Sequence, residues 1–256
     1  MSILEQISKP KNRPVVATII GDAGLGKTSL AATFPKPIFI RAEDGLSSIP
    51  ELLRPDAFPR IHSVDDLWEQ LTALIKEDHQ YDTLVVDSVT ALEVIFTDHV
   101  IDTDPKRPKG IQQAHGGYGA GRDMVSSMHR RLRKAAEMLV ERGMNVVFVA
   151  HADTVRIEPP DADPYTKYTM RLHEKSMQPY VDNVDLVGFL RLETFVTGDG
   201  ERKKAISDGT RQLVCHAVAS NVSKNRFGIT EPIEVKLGEN PLAQYLPQFK
   251  NKTKGE

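Results

Sequence analysis

The sequence predicts an α/β fold: a mainly parallel central sheet flanked by helices and extended by antiparallel strands toward the C-terminus. Three observations carry that expectation. The glycine-rich segment GDAGLGKT, Gly21 to Thr28, follows the apolar run PVVATII and precedes the helix-forming SLAATF. Continuous apolar runs recur at PIFIR, TLVVD and NVVFVAH. Runs without alternation suit strands buried on both faces, and with helices between them they suit parallel pairing. Beyond Tyr180 the pattern changes to VDLVGFLRLETFV, GDGERK, RQLVCHAVAS and EPIEVKL. These read as short strands joined by Gly and Asp turns, which predicts the antiparallel extension.

The chain has 256 residues, 40% of them apolar, enough for one sizeable α/β core. Its formal net charge of −2 excludes a whole-protein basic field, so any nucleic-acid site must be local. A lone Cys215 excludes a disulfide framework and fits a reducing compartment. No run reaches the roughly eighteen apolar residues of a membrane span. The segment MSILEQISKPKNRP is too polar for a signal peptide, so the expectation is a soluble, cytoplasmic protein with no membrane partner.

Taken in order, residues 1–14 form a short arm patterned only by Ile3 and Ile7, residues 15–248 one domain, and residues 249–256 a disordered tail. Pro35 and Pro37 punctuate the turn into the second strand. Ser63 and Asp66 make a capping box for a helix with Leu67, Leu71, Leu74 and Ile75 on one face and Trp68 at its edge. Residues 102–122, DTDPKRPKGIQQAHGGYGAGR, lack periodicity and read as a long loop. A helix follows, with Met124, Met128, Leu132, Ala135, Ala136 and Leu139 inward and Arg130, Arg131, Arg133 and Lys134 on solvated faces. Residues 152–180 read as a second long irregular stretch.

The spacing G-x-x-x-x-G-K-[ST] is that of a phosphate-binding P-loop. Its cradle comprises Gly21, Asp22, Ala23, Gly24, Leu25, Gly26, Lys27, Thr28 and Ser29. The glycines permit a backbone curl whose N–H groups converge on phosphate oxygens. Lys27 supplies charge to the β- and γ-phosphates, and Thr28 offers a hydroxyl to Mg²⁺ at the start of a helix. Asp87 closes an apolar strand, where a carboxylate can hold the water shell of the same Mg²⁺. ATP and Mg²⁺ are therefore the expected cofactors. Hydrolysis also needs a base, for which Glu43 and Asp44 at the end of the second strand are candidates.

The order PVVATIIGDAGLGKTSLA, IFIRAEDGL, YDTLVVDSVTAL, NVVFVAH and VSKNRFGI resembles the RecA-type recombinase core, from about Val15 to Leu237. The resemblance implies that Glu43 activates the attacking water and that Asp87 and Ser88 close the metal-side strand. It places His151 at the γ-phosphate-sensing strand end, where bacterial RecA has glutamine. It makes residues 102–122 and 152–180 the two loops that touch single-stranded DNA. Lys106, Arg107, Lys109, Arg122 and Lys167 would then meet phosphates, and Tyr118, Tyr165 and Tyr168 would stack bases. In SKNRF, Lys224 and Arg226 match cations that reach a neighbouring subunit's γ-phosphate, with Arg in place of Lys at the second position.

Among such proteins the chain is most similar to small phage-encoded ATPases, the Sak-four type of single-strand annealing protein. That resemblance implies ATP-linked self-association into a ring or filament, binding and annealing of single-stranded DNA in phage recombination, and residence in the host cytoplasm. A single-stranded-DNA-binding protein is a further partner it suggests. Two alternatives stand beside it: a helicase-like or helicase-accessory ATPase of the same superfamily, and a small-substrate P-loop NTPase or kinase. No lid of clustered arginines supports the last.

Overall fold

The computed structural model describes residues 3–9, 12–197, 204–246 and 249. The GDGERK turn and residues 250–256 of the expected tail lie outside the described residues. After a 3₁₀ turn at Ile3–Gln6, the strands are β1 (Val16–Gly21), β2 (Pro37–Arg41), β3 (Asp56–Ala57), β4 (Thr83–Asp87), β5 (Asn145–Ile157), β6 (Tyr165–Met170) and β7 (Leu186–Leu192). Further along come β8 (Phe195–Thr197), β9 (Lys204–Ile206), β10 (Arg211–Val214), β11 (Lys224–Asn225) and β12 (Ile233–Glu234). The helices are α1 (Lys27–Ala31), α2 (Val64–Lys76), α3 (Val89–Asp102), α4 (Ala120–Glu141) and α5 (Glu174–Val181).

Among the described residues one sheet runs β12-β10-β7-β1-β5-β4-β2-β3, with β6 added to β5 and β11 to β7. From β7 to β3 all pairings are parallel, and β10, β11 and β12 join antiparallel. This is the RecA-like P-loop arrangement expected, with β5 inserted between the strand that carries the P-loop and the strand that ends in Asp87. One correction follows. VDLVGFL is not part of the antiparallel extension, because β7 lies parallel to β1 with Ala17 opposite Leu186. Its first five residues are buried, as befits a strand covered on both faces.

The sheet separates two apolar cores. Ile20, Ile40, Val86, Phe148 and Phe189 face α2 to α5, while Ile19, Phe39, Val85, Val149 and Leu190 face α1 and the C-terminal Leu242 and Leu246. That alternation is the period-2 pattern with both faces apolar. Helix α2 starts as expected: Asp66 N donates to Ser63 Oγ and Ser63 N to Asp66 Oδ2. Trp68 packs at the edge of its face, under the Arg131 guanidinium at 4.1 Å. Helices α3, α4 and α5 are tied by buried polar contacts: His129 Nε2 meets Glu93 Oε2 at 2.8 Å and His129 Nδ1 the Tyr180 hydroxyl at 2.6 Å.

Two expectations about α4 change. Met124 is exposed and Val125 takes the inward position. Arg133 is only 6% exposed and donates to the carbonyl of Asn183, so it is not on a solvated face. The stem of a long cationic chain can cover apolar surface while its head finds a carbonyl, which a charge pattern does not reveal.

Residues 102–122 are more ordered than their composition predicts. Helix α3 runs to Asp102 and α4 starts at Ala120, leaving a segment pinned on buried Asp104. Asp104 accepts from the backbone N–H groups of Lys106 and His115. Residues 152–180 are not irregular either. β5 and β6 form an antiparallel hairpin, Ala152 opposite Met170 and Ile157 opposite Tyr165, and α5 follows. The alternation in ADTVRI and YTKYTM is the signal for it, hidden by the polar residues a two-sided exposed ribbon tolerates.

Candidate nucleotide-binding site

The P-loop leaves the C-terminal end of β1 between two close neighbours. A Cβ on Gly21 would sit 2.7 Å from the Leu190 carbonyl oxygen, a backbone atom of β7 that cannot yield, so this position demands glycine. Gly24 and Gly26 take φ of 78° and 90°, the left-handed region that other residues reach only with strain. The loop and its flank line a cleft of about 370 Å³ with Lys27, Thr28, Ser29, Glu43, Asp87 and His151. Helix α1 has only five residues. With so short a helix, the groups available to meet a phosphate are the loop's N–H groups and Lys27 rather than a long helix dipole.

Lys27 is 5% exposed, and burial lowers its ammonium pKa against the pull of Asp87, Glu43 and Asp22. Its Nζ donates to the Asp22 carbonyl at 2.9 Å and lies 3.4 Å from His151 Nδ1. An ammonium has no lone pair, so Nδ1 accepts and Nε2 carries the imidazole hydrogen. Nε2 stands 3.1 Å from both Glu43 carboxylate oxygens. His151 thereby bridges the P-loop lysine and Glu43. The His151 backbone N–H donates to Thr90 Oγ1 at 3.0 Å. The His151 hydrogen bond holds the Glu43 carboxyl below its usual range, with burial opposing and the Ser88 hydroxyl, which donates to Oε1, assisting.

On the other wall Thr28 Oγ1 donates to Asp87 Oδ2 at 2.7 Å. Burial raises the Asp87 carboxyl, and the Thr28 hydroxyl offsets part of that. A hydroxyl and a carboxylate side by side on a phosphate cleft fit Mg²⁺, a hard cation that takes oxygen ligands and relies on substrate phosphates for others. When bound, that ion neutralises phosphate charge and favours the ionised form of Asp87. Gly45 packs against this pair: a Cβ there would lie 3.0 Å from Thr28 Oγ1.

One lining residue was not anticipated from the sequence. Arg211, at the start of β10, places Nη1 3.5 Å from the Leu25 carbonyl and 2.6 Å from where a Gly26 Cβ would be. It makes no ion pair among the described residues. Only the topology brings a strand so far along the chain to the P-loop; RQLV alone reads as an ordinary edge segment. Arg211→Ala is expected to weaken ATP binding about tenfold, the worth of one charge-assisted contact, read by titration of a fluorescent nucleotide. Unchanged affinity would show that the guanidinium only packs on the loop.

A family model described as an AAA domain matches residues 13–227. The chain belongs to this AAA domain family. It is a P-loop ATPase, and the cleft and the sheet order are in keeping with that. It is 29% identical over 180 residues to the SPbeta prophage-derived uncharacterized protein YorG of Bacillus subtilis (strain 168), covering 68% of this chain and 50% of that protein. The chain thus spans about half the length of this curated relative. Among solved structures it is similar to the KaiC-like protein PH0186 from the hyperthermophilic archaeon Pyrococcus horikoshii OT3. That match has a TM-score of 0.49 at 13% identity and covers 89% of this chain and 88% of that one.

The remaining residues singled out in the sequence fall in three places. Lys106, Arg107, Lys109 and Tyr118 are exposed on the segment between α3 and α4. Arg122 differs: it lies in the first turns of α4, partly buried, 3.5 Å from Glu93. It braces α3 against α4 and is not a free phosphate contact. Tyr165, Lys167 and Tyr168 are on β6, but strand alternation puts Tyr165 and Lys167 on one face and Tyr168 on the other. The two tyrosines therefore do not form one stacking platform. Lys224 and Arg226 sit at the opposite end of the sheet. β11 pairs with the start of β7, at Leu186 and Val187, four residues and about 13 Å from the end nearest the P-loop. Lys224 Nζ donates to the carbonyls of Val181 and Asp182, and Arg226 pairs with buried Asp185 at 2.9 Å.

No helix among the described residues is long and apolar enough to cross a membrane. Cys215 is buried, which pushes its thiol up to about 12. It is a packing residue and no nucleophile.

Proposed function

We propose that the chain is an Mg²⁺-dependent ATPase that assembles with copies of itself, binds single-stranded DNA and promotes annealing of complementary strands in phage DNA metabolism. The observation that carries this reading is the course of β5. The strand delivers His151 to Lys27 and Glu43, then leaves the parallel sheet and continues without a break into the exposed β5–β6 hairpin. A ligand held on that hairpin pulls on the same backbone that positions the imidazole between the phosphate lysine and the candidate base.

Within the cleft each residue has a task. Lys27 and the loop N–H groups hold the β- and γ-phosphates, Thr28 and Asp87 hold the metal, and Glu43 takes the proton of the attacking water. Glu43 is held by His151 and Ser88. Drawing Lys27 toward phosphate changes the His151 contact and with it the freedom of Glu43. Lys224 and Arg226 lie at the end of the sheet remote from their own cleft, a placement that suits action on a neighbour's phosphate. Guanidinium is the better group for that role because it meets phosphate bidentately. The prophage derivation of the Bacillus subtilis relative supports the phage setting.

Mixing variants tests assembly. Arg226→Ala and Lys27→Ala damage different halves of a shared site, so each alone is expected to be inactive while mixtures regain part of the turnover. Mixtures with no activity at any ratio would remove trans action. Annealing itself is tested with two complementary labelled oligonucleotides: ATP-dependent acceleration of duplex formation is the expected result. Fuelled, directional strand separation would instead place the chain with helicase-like ATPases.

A further inference from the structure

The P-loop has a second side. Ala23, Gly24 and Gly26 line the phosphate cleft, whereas Asp22 and Leu25 line a different cavity of about 480 Å³, and the two cavities share no lining residue. The second cavity lies between the loop, the ends of β7 and β10, and Tyr168 of the hairpin.

Its walls are specific in kind. Phe189 and Arg191 alternate onto one face of β7, and Gln212 lies directly across from Arg191 on β10. The Tyr168 ring packs on Phe189 with centroids 5.0 Å apart and planes tilted by 32°. Phe189 is buried, while Tyr168 is 42% exposed. The result is a backed aromatic platform with a surface left to cover. The Arg191 Nε is buried and has no hydrogen-bond partner among the described residues. Buried donors without partners carry a cost that a ligand acceptor relieves.

Charge decides the ligand class. Arg191 is outnumbered by the carboxylates of Asp22 and Glu193, so the cavity has no excess of positive charge and does not suit a phosphate. A flat aromatic face, a guanidinium and a carboxamide that both donates and accepts suit the edge and face of a neutral heterocycle. We propose that this cavity binds a nucleobase, stacked on Tyr168 with its edge toward Arg191 and Gln212. Filling it touches the loop at Asp22, whose carbonyl holds Lys27. The base comes either from a bound single strand or from a free nucleoside. The first source rests on the DNA reading above and the second does not.

The test compares an oligothymidylate with an abasic oligomer of the same length and charge, binding read by fluorescence anisotropy on the full chain. Oligothymidylate is expected to bind about tenfold more tightly, the scale of one stacked base. Tyr168→Ala is expected to erase the difference and Tyr168→Phe to keep it. The wild-type comparison needs no variant, so a misfolded Tyr168→Ala protein does not spare the proposal. Free 2-aminopurine riboside separates the sources. A saturable, Tyr168-dependent fluorescence change without DNA assigns the pocket to a nucleoside; a change only when the fluorophore is within a strand assigns it to DNA. Equal binding of both oligomers, with no riboside signal, overturns the pocket while leaving DNA binding intact. If neither oligomer nor the riboside binds, the pocket and the DNA reading fall together.

Discussion

Lys27→Ala is expected to lower ATP turnover by about a hundredfold to a thousandfold or more, with nucleotide affinity falling in parallel. The loss of one preorganised charge at a developing anion has that scale. Lys27 is buried and its ammonium is compensated by Asp87, Glu43 and Asp22 around it. Removing it leaves Asp87 and Glu43 without that compensation, so thermal unfolding should be followed beside binding. A variant that melts like the parent yet binds no fluorescent ATP analogue meets the expectation. Near-normal turnover would contradict the assignment of GDAGLGKT as the phosphate cradle.

Glu43→Gln is expected to keep ATP binding and lower kcat by about a hundredfold to ten-thousandfold, the range for a lost general base. The pH dependence follows from its surroundings. The His151 hydrogen bond depresses the Glu43 carboxyl, so the parent should retain its base below the ordinary carboxylate range, losing activity only at still lower pH. His151→Ala removes the largest depressing cause and should move that acid limb upward. The linked stability has the same sign: a depressed folded-state carboxyl stabilises above the unfolded-state pKa, and this is lost as pH falls through the folded value. Should Glu43→Gln abolish ATP binding instead, Glu43 serves to hold Ser88 and His151 in place.

The parallel core was legible because its strands are buried on both faces and read as uninterrupted apolar runs; β1, β2, β4 and the buried first half of β5 all fell where such runs stood. The P-loop and Asp87 were legible because backbone curvature and strand ends constrain residue type directly. The β5–β6 hairpin was not, since both its faces are largely solvated and only a weak alternation survives. The orientation of β7 was not legible, since VDLVGFL fits a buried parallel strand while the Gly and Asp turns beyond it fit an antiparallel one. Arg211 and Arg191 could not have been found locally: each meets its cavity through the pairing of β7 with β10, a long-range relation that leaves no mark in RQLV or FLRLE. The contacts of Arg122 and Arg133 leave no sequence signal, because composition does not show whether an arginine meets Glu93 or the carbonyl of Asn183.

ATP turnover by the purified chain, measured with and without single-stranded DNA over a range of salt, tests the coupling of the hairpin to the cleft most directly. Stimulation by DNA at low salt, fading as salt rises because phosphate contacts release counterions, is the expected result. Turnover indifferent to DNA at low salt would contradict it and would assign the cleft to a small-substrate NTPase or to one activated by a protein partner.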